Sequence, residues 1–177
     1  MKIYTKKGDL GDTGLLGGVR ISKASQRVES YGNIDELTTF LALVCSVTTD
    51  EELKETLTRI QIELFHVSSE LATPQGKKTF GKLIEETAIK QLEQEIDACD
   101  EEVPPLKSFI LLGGSLSASY LQVSRAVCRR SERSVVRLHQ EEEIRPLIIQ
   151  YLNRLSDLLF SLARRANFRE NIEEIAI

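Results

Sequence analysis

A chain of 177 residues, 41% hydrophobic and 28% charged, is sized for one globular domain with an ordinary core, and it has neither a disordered nor a fibrous composition. Its formal net charge of −4 argues against the whole-surface basic field that nucleic acid or an anionic membrane would require. No stretch approaches the ~20 apolar residues of a membrane-crossing helix, and the opening MKIYTKKGDLGDTG lacks the apolar run of a secretory signal, so a cytoplasmic protein is expected.

The first element, residues 1–27, reads as a loop-like leader. Gly8, Gly11, Gly14, Gly17 and Gly18 crowd into it, and apart from Gly32 the remaining glycines mark two breaks, Gly76/Gly81 and Gly113/Gly114. Beyond the leader, apolar residues recur at spacings of three and four: Ile34, Leu37, Leu41, Val44; then Leu53, Leu57, Ile60, Leu64, Val67, Leu71; then Ile89, Leu92, Ile96, Cys99. The spacing returns at Leu116, Tyr120, Val123, Val127 and at Ile148, Leu152, Leu155, Leu159, Leu162, Ala166. It predicts helices over 28–47, 51–72, 82–101, 115–142 and 145–168, with Pro74, Pro104 and Pro105 as stops and Pro146 in the first turn of the last. No strand is expected. The fold class is therefore all-α, a five-helix bundle of ferritin-like type in a single domain spanning 1–177, with a leader (1–27), a bundle (28–168) and a tail (169–177).

Three segments carry chemistry. In the leader, Lys6, Lys7 and Lys23 accompany the hydroxyls of Thr5 and Thr13 and the backbone freedom of Gly8 and Gly14. This composition suits either a phosphate cradle or a flexible glycine-rich leader, and it matches neither a P-loop nor a dinucleotide fingerprint. In RAVCRRSERSVVR, Arg125, Arg129 and Arg133 fall four apart on one helical ridge, with Arg130 and Arg137 beside them. Like charges at that spacing cost an isolated helix roughly 0.2–0.5 kcal/mol per pair. The ridge is thus either a solvated network with Glu132 and Glu141 or a site for carboxylate or phosphate, whose oxygens match the guanidinium fork. In YLNRLSD, Asn153 and Asp157 flank the last apolar seam, where an amide either serves the fold or reads a nucleobase or sugar edge. Cys45, Cys99 and Cys128 are too scattered for a disulfide framework or a zinc site and are expected as buried thiols. Glu63 and His66 have the E-x-x-H spacing of a di-iron ligand pair, but His139 lacks the matching glutamate, which argues against that metal centre.

Taken in order, YTKKGDLGDTG, YGNIDEL, FILLGGS, SRAVCRRSER and YLNRLSDLLFSLAR resemble the PduO-type ATP:cob(I)alamin adenosyltransferases over nearly the whole chain. The resemblance implies a homotrimer with ATP and the corrinoid bound between subunits, and transfer of the 5′-deoxyadenosyl group of ATP to the cobalt of cob(I)alamin with release of triphosphate. It implies Mg²⁺ with the nucleotide, an electron-delivering reductase, and an adenosylcobalamin-dependent enzyme as recipient. Carried over residue by residue, it implicates Thr5, Lys6, Lys7, Gly8, Thr13, Gly14 and Lys23 in wrapping ATP. Arg129, Arg130, Ser131, Glu132, Arg133 and Asn153 would complete the nucleotide contacts. It pairs Asp35 with Arg125 across the subunit interface and sets Phe109 beneath the corrin ring, in the space of the lower axial ligand. Two positions depart from the family pattern: Leu112 replaces a proline, which is expected to loosen the loop carrying Phe109, and Gln122 replaces a histidine before the first arginine. A sensor that binds ATP without turnover is the alternative reading.

Overall fold

Ser25, Asp50 and Ser115 each precede an apolar periodic run, and each caps the helix that follows by accepting a backbone N–H, from Val28, Leu53 and Ala118 respectively. The computed structural model describes residues 2–74 and 76–177. Its helices are α1 (Gln26–Val47), α2 (Glu51–Leu71), α3 (Glu86–Glu102), α4 (Leu116–Glu141) and α5 (Pro146–Arg169). The bundle is the expected one. α4 packs against both α1 and α5, α2 lies against α1, and α3 against α5. Leu37, Leu64 and Leu155, from the seams expected on α1, α2 and α5, are fully buried; on α4 the buried face is instead Ala118, Leu121, Val127 and Cys128, while Leu116 and Val123 of the expected seam are exposed. Burying each such leucine is worth about 1.5–3 kcal/mol. Among the described residues, no helix is long and apolar enough to cross a membrane.

The structure corrects the leader. It is not loop throughout: β1 (Asp12–Gly14) pairs antiparallel with β2 (Arg20–Ser22), Thr13 opposite Ile21. The turn between them uses Gly17 and Gly18 at φ +87° and +82°, conformations costly for residues with a Cβ. Leu15 anchors the hairpin by burial, and its N–H donates to Val19 O at 2.8 Å. The third helix also begins later than the periodicity indicated, at residue 86 instead of 82. Residues 82–85 stay outside it: Ile84 is buried and its carbonyl accepts from Arg145, just ahead of α5, so that oxygen is spent outside any helix.

The tail, too, has structure. Asn171 turns the chain at φ +56°, and Ile172 N–H donates to Asn167 O at 2.8 Å. Glu174 then receives the Arg164 guanidinium at 3.0–3.1 Å, and Arg164 is 7% exposed. Finally Leu111 N–H donates to Ile175 O and Ile177 N–H to Phe109 O, both at 2.8 Å, in an antiparallel bridge between Ile110 and Ala176. The three cysteines are free thiols. Cys99 and Cys128 are buried as expected, and burial pushes both thiols up, Cys99 to about 11, which makes them poor nucleophiles. Cys45 is only half-buried.

Candidate functional site

The hairpin assembles the cations of the leader. Lys23 N–H donates to Gly11 O at 2.8 Å, which folds the strand end back so that the Lys23 ammonium rests against Gly8. A Cβ added at Gly8 would meet that Nζ at 3.2 Å. Arg20, which the sequence reading passed over, donates from Nη2 to Lys7 O at 2.8 Å. Thr5 Oγ1 lies 3.5 Å from the Lys7 N–H, and Lys6 adopts φ +61°. Thr13 bonds the half-buried Tyr31 hydroxyl on α1, which burial raises above its ordinary range and this bond partly lowers. Gly14 faces open space. Three residues past Lys23, Gln26 Nε2 donates to Ser134 O and Oγ on α4 at 2.9 Å. The leader therefore joins the bundle beside Arg133 and Arg137.

On α4 the choice between a solvated network and an anion site can be read from the partners. Arg130 pairs with Glu36 of α1. Among the described residues, Arg125, Arg129, Arg133 and Arg137 make no ion pair within the chain, so the ridge does not neutralise itself. Burial, and then the neighbouring Arg129, lower the Arg125 guanidinium from its ordinary value, and its Nε–H donates to the neutral Gln122 Oε1 at 2.8 Å. A guanidinium partly desolvated without a counter-charge is held at a cost that an anion would remove. Gln122, where the family resemblance led to histidine, orients that arginine. Arg125 and Arg129 line a groove of about 480 Å³ between α3, α4 and α5, across from Asp97 and Asp100 of α3. Arg154 in the same groove is already satisfied by Glu93 and Asp157, each at 3.0 Å.

Other expected residues sort themselves by exposure. Asn153 is exposed on α5 and donates to Glu132 Oε1 on α4 at 3.2 Å, so these two site residues stand together across the helix pair. Asp35 is exposed on α1, with no ion pair of its own among the described residues. Ser131 is corrected. It is fully buried, and its hydroxyl bonds the carbonyls of Asn33 and Val127 at 3.0 Å each, which makes it a packing contact between α4 and α1. Glu63 does not look for a metal: it accepts from Tyr151 at 2.6 Å and from Arg59 at 2.7 Å. Among the described residues no group of three or more His, Cys, Asp or Glu is arranged to hold an ion.

Phe109 is 84% exposed, on a loop whose backbone is held at two places. The tail pairs with Phe109 and Leu111, and further on Asn167 bonds Gly113 O at 2.8 Å and the Ser115 N–H at 2.9 Å. Sequence reasoning missed Asn167, Arg164 and Glu174, and the glycine pair was the one available signal that something approaches closely there.

Uncommitted arginines beside a lysine- and glycine-rich leader, with an aromatic ring presented at the head of the same helix, define a helical bundle of the nucleotide-dependent transferase class. A model of the cobalamin adenosyltransferase family matches residues 3–166, and the chain belongs to that family. It is 48% identical to the corrinoid adenosyltransferase of Bacillus subtilis over 99% of this chain and 91% of that protein. It is 42% identical to the corrinoid adenosyltransferase PduO of Citrobacter freundii over 93% of this chain, which spans about half, 49%, of that relative's length. A solved variant of the PduO-type ATP:corrinoid adenosyltransferase of Lactobacillus reuteri, complexed with cobalamin and ATP, superposes with a TM-score of 0.95 at 37% identity, covering 99% of this chain and 96% of that one.

Proposed function

We infer that the protein transfers the 5′-deoxyadenosyl group of ATP to the cobalt of cob(I)alamin: the cobalt–carbon bond forms, the C5′–oxygen bond breaks, and triphosphate leaves. The observation that carries this reading is the exposed pair Arg129 and Arg133, without an ion pair among the described residues, the first at the edge of a groove with room for a ligand. A polyanionic leaving group is what such a pair stabilises. Family membership and the likeness to a cobalamin and ATP complex support the substrates.

The chain's own residues have little proton chemistry to perform, because cob(I)alamin is itself a strong nucleophile and triphosphate needs charge stabilisation more than protonation. Their work is alignment. Lys6, Lys7 and Lys23 wrap the phosphates, with Thr5, Gly8, Thr13 and Gly14 shaping the leader around them. Arg129, Arg133 and Arg130 grip the leaving group, the last after exchanging Glu36 for phosphate. Glu132 and Asn153 meet the nucleoside side. In a homotrimer Asp35 of one copy satisfies Arg125 of the next, and the site closes between them. Phe109 fills the space beneath the corrin ring, keeps the lower ligand away and leaves cob(II)alamin four-coordinate and reducible. Mg²⁺ bound with the nucleotide would neutralise part of the phosphate charge beside these lysines and arginines. A cytoplasmic reductase supplies the electron, and an adenosylcobalamin-dependent enzyme takes the product.

Anaerobic incubation with ATP and chemically reduced cobalamin is expected to yield adenosylcobalamin and triphosphate in equal amounts. ATP binding with neither product would make the protein a sensor and overturn the assignment. Phe109→Ala is expected to keep ATP affinity within about twofold while slowing adenosylation of cob(II)alamin under a weak reductant by on the order of 10²-fold, the penalty for a misaligned reacting centre. An unchanged rate removes Phe109 from the mechanism.

A further inference from the structure

Phe109 is an exposed apolar ring, and its position is fixed only as well as the backbone that carries it. The tail bonds at Phe109 and Leu111 and the bonds further on at Gly113 and Ser115 lead to one residue. Asn167, 5% exposed near the end of α5, uses its side-chain amide on the segment after Phe109: Nδ2 donates to Gly113 O at 2.8 Å, and Oδ1 accepts from the Ser115 N–H at 2.9 Å. Its main-chain oxygen accepts from Ile172 N–H at 2.8 Å and so sets the turn from which the tail runs back to pair with Phe109 and Leu111. The amide also occupies the space that any side chain at position 114 would need. A Cβ on Gly114 would lie 2.1 Å from Oδ1 and 2.6 Å from Cγ and Nδ2. Gly113 and Gly114, at φ +146° and +116°, hold a backbone shape that other residues rarely adopt. The glycine pair and the asparagine therefore specify one another.

Ser115 makes this more than a loop anchor. It is the N-cap of α4, the helix that bears Arg125 and Arg129. An amide bonded to both Gly113 and Ser115 fixes the Phe109 loop relative to the start of the arginine helix. We propose that Asn167 is a positioning residue that holds Phe109 in register with the nucleotide end of the site. It touches neither substrate and acts through the loop it clamps. The proposal rests on the activity inferred above.

The test compares wild type with Asn167→Ala and Asn167→Asp, the second retaining size and the acceptor for Ser115 while losing the donor to Gly113. Calorimetry with ATP is expected to give affinities within about twofold of wild type, which also reports a folded nucleotide site. The four-coordinate cob(II)alamin signal in absorption and electron paramagnetic resonance spectra should fall several-fold. Turnover of cob(II)alamin under a weak reductant should drop by on the order of 10-fold to 10²-fold, the scale of a small misplacement of reacting groups, with KM for ATP unchanged. Chemically pre-reduced cob(I)alamin should recover most of the rate, because it bypasses the step that Phe109 assists. A purely structural asparagine would not divide the two substrates in this way. Equal signal and equal rate in a folded Asn167→Ala or Asn167→Asp protein would overturn the proposal, as would equal loss with cob(II)alamin and cob(I)alamin. Absence of adenosylation by the wild type would instead overturn the activity itself.

Discussion

Arg129→Ala is expected to leave the fold intact and to reduce ATP-dependent adenosylation by on the order of 10²–10³-fold, the usual consequence of removing one donor aimed at developing charge. The side chain is exposed and makes no ion pair among the described residues, so its truncation belongs with surface changes worth within about 0.5 kcal/mol of stability. Activity and stability should therefore separate cleanly. Because triphosphate carries more charge as it leaves than ATP carries at C5′ before attack, the loss should fall mainly on kcat and only partly on KM for ATP. Arg129→Lys keeps the charge but not the planar fork, and an intermediate rate is expected. Steady-state kinetics at saturating cob(I)alamin, alongside thermal unfolding of each variant, check both halves. A folded Arg129→Ala enzyme with wild-type turnover would mean that the triphosphate lies elsewhere.

The bundle could be read from the chain because its signals are local. The Leu53–Leu71 and Ile148–Ala166 seams each keep one face for five turns, and Pro74 and Pro146 mark an end and a start beside them. The arginine ridge was legible for the same reason, its spacing being a property of one helix. What escaped depends on partners far apart in the chain. The leader strands have three residues each and contain Gly14, too short and too glycine-rich to show alternation. Asn167 looks like any polar residue at a helix end until Gly113 and Ser115, more than 50 positions away, come to its amide. Arg164 and Glu174 are ten residues apart, beyond the reach of a helical pair, and meet only because Asn171 reverses the chain. Ser131 failed in the opposite sense: it lies inside a charged motif, but its place on the helix faces α1, and burial decides its role.

Arg27→Ala is expected to produce the largest loss of stability among single changes at the leader–bundle junction, about 2–4 kcal/mol, the scale of leaving two buried carbonyls without a donor. Arg27 is 3% exposed at the start of α1. Its Nη1 donates to the carbonyls of Leu71 and Thr73 where α2 ends, and its Nε and Nη2 donate to Glu142 where α4 ends. One guanidinium thus closes the open end of α2 and ties it to the residue that follows α4. Without it the two carbonyls, beyond the reach of further helical bonding, lose their donor. At about 2–4 °C per kcal/mol for a chain of this length, Tm should fall by on the order of 10 °C at fixed protein concentration. In urea the midpoint should drop with the slope unchanged. The exposed pair Arg130–Glu36 provides the contrast: Glu36→Ala should shift stability by less than about 1 kcal/mol, since solvent replaces what the partner supplied. The junction also has a functional consequence, because Leu16 N–H docks on Ala72 O, between the two carbonyls that Arg27 holds. Well below its own Tm, Arg27→Ala should therefore show a raised KM for ATP, its leader no longer seated against the end of α2, while kcat at saturating ATP stays close to wild type. A midpoint within about 1 kcal/mol of wild type would show that Glu142 and the two carbonyls find other partners, and would remove Arg27 from the account of how the leader is held.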